Sequence, residues 1–75
     1  MPLINVKLME GVFTPVQKQE MIRKLTDAMV SIEGENLRQV TVVLIEEAKS
    51  GDWGFGGVPL SVADVRAMAA GKAKG

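Results

Sequence analysis

Apolar and polar residues alternate along the first part of the chain, and this two-residue period predicts a β-strand over Leu3–Met9. One face of the predicted strand carries Ile4, Val6 and Leu8, and the opposite face carries Leu3, Asn5, Lys7 and Met9. The dipeptide Glu10-Gly11 interrupts the alternation, so we expect the strand to end and the chain to turn there.

Three agreeing signals predict the start of a helix after this turn. Thr14 is a good N-cap residue, Pro15 suits the first helical position, and Gln17 completes a capping box. Apolar residues with helical spacing follow, namely Met21, Ile22, Leu25, Ala28, Met29 and Ile32. Gly34 is typical of a helix end, so we expect the helix to stop there.

Residues 40–45 are mostly β-branched and almost continuously apolar. Such a run predicts a second strand that is covered on both faces, as in a parallel or intersubunit sheet. A strand, a helix and a strand form one β-α-β unit. Two parallel strands and one helix leave a sheet face and two edges uncovered, so we expect a partner to cover them.

A glycine-rich stretch follows at residues 50–57. Its glycine spacing fits neither the Walker motif nor the dinucleotide-binding fingerprint. We interpret it as a turn and a short hairpin that presents Trp53 and Phe55.

The last part of the chain predicts one more helix. Ser61, with Asp64 three residues later, is the pattern of a capping box and predicts a short helix over residues 62–68. Residues 69–75 are small or basic, and we expect them to form a flexible tail.

Composition narrows the possible chemistry. The chain has 75 residues, of which 47% are hydrophobic and 24% are charged, and it contains no cysteine and no histidine. These absences exclude disulfides, Cys-His and Ser-His-Asp nucleophilic systems, and the usual zinc, iron–sulfur and haem ligands. We therefore expect neither a metal nor another cofactor. Because so small a core only just offsets conformational entropy, we expect one domain, residues 1–75, that is stabilised by self-association.

Charge and hydropathy limit the partners. Nine basic and nine acidic side chains give a formal net charge of zero, which does not resemble a nucleic-acid-binding surface. No apolar run approaches the roughly 20 residues of a membrane span, and the first residues lack the pattern of a secretory signal. We expect no nucleic-acid partner, no membrane association and a cytoplasmic location.

Pro2 is a candidate for acid–base chemistry that does not need histidine. Methionine before a small residue such as proline is normally removed during synthesis, which leaves Pro2 with a free secondary amine. An α-amino group has a pKa of about 7.7–8.0, and desolvation or a neighbouring cation lowers that pKa. Such an amine acts as a general base or as a nucleophile. Proline is also common at this position without a catalytic role, and the strand that directly follows is what favours catalysis.

Several short motifs occur in a recognisable order: Pro2, Glu10-Gly11, Gln17-Lys18, Ile22-Arg23, Leu37, the strand sequence of residues 40–46, Ala48-Lys49, and Gly54-Phe55-Gly56-Gly57. Together they resemble the 4-oxalocrotonate tautomerase group of the tautomerase superfamily. The resemblance implies an α/β subunit with a single β-α-β unit and a C-terminal hairpin and short helix. It also implies that subunits dimerise and that dimers assemble into a hexamer. Pro2 would be the general base in pockets at subunit boundaries.

Two positions depart from the family enzyme that isomerises a dicarboxylate. That enzyme has an arginine after the Glu-Gly pair, where this chain has Val12-Phe13. It has a second arginine in the second strand, supplied across the subunit boundary, where this chain has Thr41. Arginine suits carboxylate binding because it is permanently charged and bidentate. Losing one such donor costs about 2–4 kcal/mol in the transition state, so we expect weak action on dicarboxylates.

The remaining candidate site residues are Trp53, Phe13, Thr41 and Arg38. Trp53 aligns with the family's pocket aromatic, and its other possible role is to anchor a subunit interface. Phe13 would add an apolar wall, while Arg38 either reaches the pocket or is a solvated loop arginine.

These residues together predict a tautomerase with a small unsaturated 2-oxo or 2-hydroxy acid as substrate, or a neutral enol. The alternative is an oligomeric scaffold without tautomerase activity, or a protein that binds a small apolar ligand beside Trp53.

Overall fold

Residues 1–71 are described by a computed structural model. In chain order the elements are β1 (Leu3–Met9), α1 (Pro15–Glu33), a 3₁₀ helix (Glu35–Val40), β2 (Val42–Ala48), β3 (Trp53–Phe55), β4 (Val58–Leu60) and α2 (Val62–Ala69). The predicted α/β class is confirmed, with a β-α-β unit followed by a hairpin and a short helix. Within residues 1–71, no helix is both long enough and apolar enough to cross a membrane.

The chain divides into two compact units. The first comprises Met1–Lys7 and Thr14–Glu46, and the second comprises Leu8–Phe13 and the described residues from Glu47 onward. β1 and β2 pair with each other, and β3 pairs with β4.

Hydrogen bonds at the two ends of the β1–β2 pair give its direction. The Val42 N–H donates to the Pro2 carbonyl at 3.0 Å, and the Glu10 N–H donates to the Ala48 carbonyl at 2.7 Å. Residue numbers rise together along the two strands, so the pair is parallel, as the β-α-β prediction requires.

Helix α1 begins and ends where the sequence predicts. Thr14 Oγ1 accepts from the Gln17 N–H at 3.1 Å, and Gln17 Oε1 accepts from the Thr14 N–H at 2.9 Å. This capping box satisfies two backbone donors that a helix start leaves without partners. Gly34 follows the helix with a φ of 104°, a conformation that favours glycine, and its N–H donates to the Val30 carbonyl.

The second strand starts at Val42, and the prediction that it starts at residue 40 is wrong. The preceding segment forms the 3₁₀ helix instead. The Leu37 N–H donates to the Gly34 carbonyl and the Thr41 N–H donates to the Arg38 carbonyl, both at 3.2 Å. The β-branched residues here favour a strand by propensity, but these local hydrogen bonds wind the chain more tightly.

The sheet in the first unit has one half-buried face and one exposed face. The half-buried residues are Ile4, Val6, Val43 and Ile45, and the exposed residues are Leu3, Asn5, Lys7, Val42, Leu44 and Glu46. On the exposed face the Asn5 amide donates to the Glu46 carboxylate, and Lys7 Nζ lies 4.0 Å from the same group. Within one chain, the second strand is therefore covered on one face, not on the two that its apolar run predicts.

The predicted hairpin and short helix are confirmed in the second unit. β3 and β4 are antiparallel, with Trp53 opposite Leu60. A Cβ at Gly54 would lie 3.1 Å from the Val58 carbonyl oxygen, which explains why glycine suits this close approach. Ser61 Oγ accepts from the Asp64 N–H at 3.1 Å and so caps α2.

Burial of Met9 and the extent of α2 concern the ends of elements in the second unit. Met9 is 6% exposed, although Leu3, Asn5 and Lys7, which share its predicted face of β1, are exposed. Met9 belongs to the second unit, and burial there is not visible in the alternation of β1 alone. Ala69, the first residue of the predicted tail, is the last residue of α2. Tail residues 72–75 lie outside the described residues.

Candidate active site

Pro2 lies at the start of the parallel pair and is held there by its own carbonyl. This carbonyl accepts from the Val42 N–H at 3.0 Å. In a parallel pair such a bond places Pro2 opposite Thr41 on the neighbouring strand, at the usual strand spacing of about 4.8 Å. Pro2 is half-buried, whereas Met1 is 90% exposed. Pro2 is thus held at the start of the strand, as the sequence predicts, and the exposed Met1 precedes it.

The side chains of Pro2 and Thr41 share one face of the sheet. Alternate positions along each strand point to the same side, so Pro2 is in line with Ile4 and Thr41 is in line with Val43. All four are half-buried. Thr41 keeps an extended backbone, with φ of −88° and ψ of 119°, so the alternation continues through it.

The Thr41 hydroxyl contacts a carboxylate. Its Oγ1 is hydrogen-bonded to Glu33 and, at 2.7 Å, to the Leu37 carbonyl. A threonine hydroxyl has a single hydrogen, so it donates to one of these acceptors at a time. Glu33 is the last residue of α1 and is half-buried. The sequence offers no motif that pairs it with Thr41, because only the path of the chain through the 3₁₀ helix brings the two together.

The Arg38 guanidinium is bonded to two carboxylates of the first unit. Nε and Nη2 donate to Glu35 at 2.8 and 3.2 Å, and Nη1 donates to Asp27 at 2.8 Å. The hydrogen bond to Glu35 and then that to Asp27 raise the pKa of Arg38, and the same guanidinium lowers the pKa of the Glu35 carboxyl. Substrate binding by Arg38 stays a prediction, and it would have to compete with these two partners.

Phe13 and Trp53 belong to the second unit. Phe13 is half-buried and ends the turn that follows β1, and Trp53 is the half-buried first residue of β3. Phe55, the other aromatic residue of the hairpin, is exposed. The structure therefore distinguishes the two aromatics of the hairpin, and Trp53 has the more enclosed position.

A guanidinium lies at the turn that precedes Val12-Phe13. Nη2 of Arg66, on α2, donates to the Gly11 carbonyl at 2.6 Å. A Cβ at Gly11 would lie 3.7 Å from Val62 Cγ1, so α2 packs closely on this turn. Sequence reasoning missed Arg66 because 55 residues separate it from Gly11, and no local pattern relates them.

In the first unit, Pro2 thus lies opposite Thr41, and the Thr41 hydroxyl is hydrogen-bonded to the Glu33 carboxylate. The second unit holds the two candidate apolar walls and the guanidinium of Arg66 at the Gly11 turn. Threonine at position 41 places no guanidinium opposite Pro2.

The family model described as Tautomerase enzyme matches residues 2–63, from Pro2 into α2. The chain belongs to the tautomerase family. The resemblance to 4-oxalocrotonate tautomerases is thereby confirmed, and solved structures with this fold include several homologues of that enzyme.

This tautomerase-family chain is 41% identical over 59 residues to a probable tautomerase of Helicobacter pylori (strain ATCC 700392 / 26695), covering 76% of this chain and 85% of that protein. A probable tautomerase of Staphylococcus aureus (strain Mu50) is 41% identical over 58 residues, covering 77% and 92%. TomN, a 4-oxalocrotonate tautomerase homologue in the tomaymycin biosynthetic pathway, is 35% identical to this chain in sequence. Its crystal structure superposes with a TM-score of 0.70 over 88% of this chain and 95% of the TomN chain.

Proposed function

We propose that the protein is a tautomerase in which Pro2, after removal of Met1, is the general base. The observation that carries the proposal is the fixed, half-buried position of Pro2 at the start of β1. Its amine would accept a proton from a carbon next to a carbonyl group and deliver it to another atom of the same molecule, which is a 1,3- or 1,5-proton shift. Family membership and the probable tautomerases among the relatives support an isomerase of this type.

The proposed substrate is a small unsaturated 2-oxo or 2-hydroxy acid, or the corresponding neutral enol. Val12, Phe13 and Thr41 carry no guanidinium, so dicarboxylates are expected to be poor substrates. Trp53 and Phe13 would line the apolar part of the pocket. Removal of water by such walls keeps an amine in its neutral, basic form near pH 7.

The proposal includes self-association of the chain, first as dimers and then as a hexamer, with pockets at the subunit boundaries. Its support is the exposed face of the β1–β2 sheet, where Leu3, Val42 and Leu44 are apolar and exposed in the single chain. Exposed apolar residues next to one another on a sheet face favour an interface.

The decisive experiment replaces the proposed base. Pro2→Ala leaves a primary amine on a more flexible residue, so we expect kcat/KM to fall about 100-fold or more. Ketonisation of phenylenolpyruvate and of 2-hydroxymuconate, followed by ultraviolet absorbance, measures this fall. Pro15→Ala is the matched control because Pro15 is an exposed helix residue, and it should retain full activity.

Two results would contradict the proposal. One is an intact mass that retains Met1 in the active protein, because an amide nitrogen cannot accept the proton. The other is equal activity of the wild type and Pro2→Ala on both enols. Equal activity would favour the alternative of an oligomeric scaffold or a small-ligand-binding protein.

A further inference from the structure

We propose that Thr41 and Glu33 form a hydrogen-bond-accepting subsite beside Pro2, which binds a hydroxyl group of the substrate and disfavours a carboxylate. The inference rests on the proposed function, since it specifies which substrates the Pro2 amine acts on. The preferred class is a neutral carbonyl compound whose enol form carries a free O–H.

Thr41 lies next to Pro2 on the neighbouring strand. The hydrogen bond from the Val42 N–H to the Pro2 carbonyl sets the register, which places Thr41 opposite Pro2. Both side chains lie on the half-buried face. A molecule whose reacting carbon lies at the Pro2 amine therefore has its neighbouring atoms within reach of the Thr41 hydroxyl.

The hydrogen bonds of the Thr41 hydroxyl determine which substrate groups it can bind. The single hydrogen of the Thr41 hydroxyl is engaged by Glu33 or by the Leu37 carbonyl. Its oxygen lone pairs remain available, and an ionised Glu33 offers only acceptors. A substrate hydroxyl can donate to this pair, whereas a substrate carboxylate has no hydrogen to donate and carries the same charge as Glu33.

The charged side chains around Thr41 are mostly acidic. Residues 27–41 contain three acidic side chains, Asp27, Glu33 and Glu35, and one basic side chain, Arg38. The hydrogen bonds of Arg38 go to Asp27 and Glu35. The negative charge of Glu33 therefore faces the Thr41 end of the site without neutralisation by Arg38, and it repels an anionic group placed there.

The experiment compares a matched pair of compounds, phenylpyruvate and its methyl ester. Ketonisation of the enol form of each compound, followed by the loss of ultraviolet absorbance, starts from the form that carries the free O–H, with Pro2→Ala as the blank. Because the two enols differ in intrinsic reactivity, the informative quantity is the change in the ester-to-acid ratio of kcat/KM between variants.

Glu33→Gln removes the charge and keeps the size of the side chain. We expect it to lower the ester-to-acid ratio about tenfold, chiefly through a lower KM for the acid. Thr41→Val should lower the ratio in the same direction, and Thr41→Ser should preserve it because the hydroxyl is kept. Glu20→Gln is the matched control: Glu20 lies on the same helix, is paired with Lys24 at 3.0 Å, and should leave the ratio unchanged.

The outcomes separate the two proposals. An unchanged ratio in Glu33→Gln, with wild-type ketonisation well above the Pro2→Ala blank, overturns the subsite and leaves the general base in place. A parallel loss of activity on both compounds in Glu33→Gln indicates a merely structural role and also overturns the subsite. Wild-type rates equal to the blank for both compounds overturn the proposed function itself.

Discussion

At the level of single residues, the partners of each charged side chain decide what it can do. Glu20 lies between Lys24, at 3.0 Å, and Arg23, at 3.9 Å, and the hydrogen bond from Lys24 is the main reason that the pKa of Glu20 is lowered. Such exposed pairs contribute little to stability because solvent screens them. These pairs instead act on pKa values, as at Glu20. The same holds for Glu35 in the Arg38 cluster, which comprises Arg38, Asp27 and Glu35.

Arg38→Gln tests that cluster. Because the guanidinium favours the ionised form of Glu35, its removal should raise the pKa of Glu35 toward the ordinary value for glutamate. A lowered carboxyl pKa stabilises the fold above the unfolded-state pKa, and this contribution is lost as the pH falls through the folded-state pKa. Carboxyl-carbon NMR titration measures the change. In Lys24→Gln the pKa of Glu20 should rise instead, and an unmoved Glu35 in Arg38→Gln would contradict the assignment.

At the level of elements, local capping defines where the helices begin. Both capping boxes join residues three apart, Thr14 with Gln17 and Ser61 with Asp64, so each is readable from sequence and is formed in the structure. The boundary between α1 and β2 depends on contacts of another kind. There the turn-like hydrogen bonds of the 3₁₀ helix compete with strand propensity, and they prevail up to Val40.

Thr14→Ala is expected to lower the free energy of unfolding by about 1 kcal/mol, because the Gln17 N–H loses its acceptor at the start of α1. Urea unfolding followed by circular dichroism, at one fixed protein concentration, measures the loss. Thr14→Ser keeps a hydroxyl and should stay close to wild type. Equal stability of all three proteins would show that the cap does not limit the stability of the helix.

At the level of the whole molecule, the single chain buries little of its apolar surface. Among residues 1–71, the buried apolar residues are Met9 and Val30, each 6% exposed. Leu3 is 61% exposed and Leu44 is 45% exposed, on the same face of the sheet. The hydrophobic effect favours covering this face, which supports the proposed self-association.

Leu44→Glu places a charge in the centre of that exposed sheet face. If the face is an interface, burying this carboxylate without a partner is costly, and we expect the assembly to dissociate into smaller species. Size-exclusion chromatography with light scattering measures the mass. Val16→Glu is the control, because Val16 is an exposed apolar residue of α1, at 72%, and is expected to leave the mass unchanged. A wild-type monomer would contradict the proposal directly.

Strand β1, both α-helices, the hairpin and the candidate base were predictable because they depend on neighbours in sequence. Alternation defined β1, capping boxes defined the starts of both helices, and glycines marked the end of α1 and the hairpin. Pro2 at the start of a strand is likewise a property of adjacent residues. Each of these features rests on hydrogen bonds or side-chain spacing within a few residues, so the sequence carries the information locally.

The partners of Thr41, Glu33 and Arg66 were decided by tertiary structure alone. Thr41 lies opposite Pro2 because two strands pair, and Glu33 reaches Thr41 because the chain winds between α1 and β2. Arg66 reaches the Gly11 turn across 55 residues because α2 packs on it. Such contacts depend on the path of the whole chain, and no spacing in the sequence encodes them. The sequence alone determined the position of the candidate base at a strand start, and folding decided the hydrogen-bond partners of Thr41, Glu33 and Arg66.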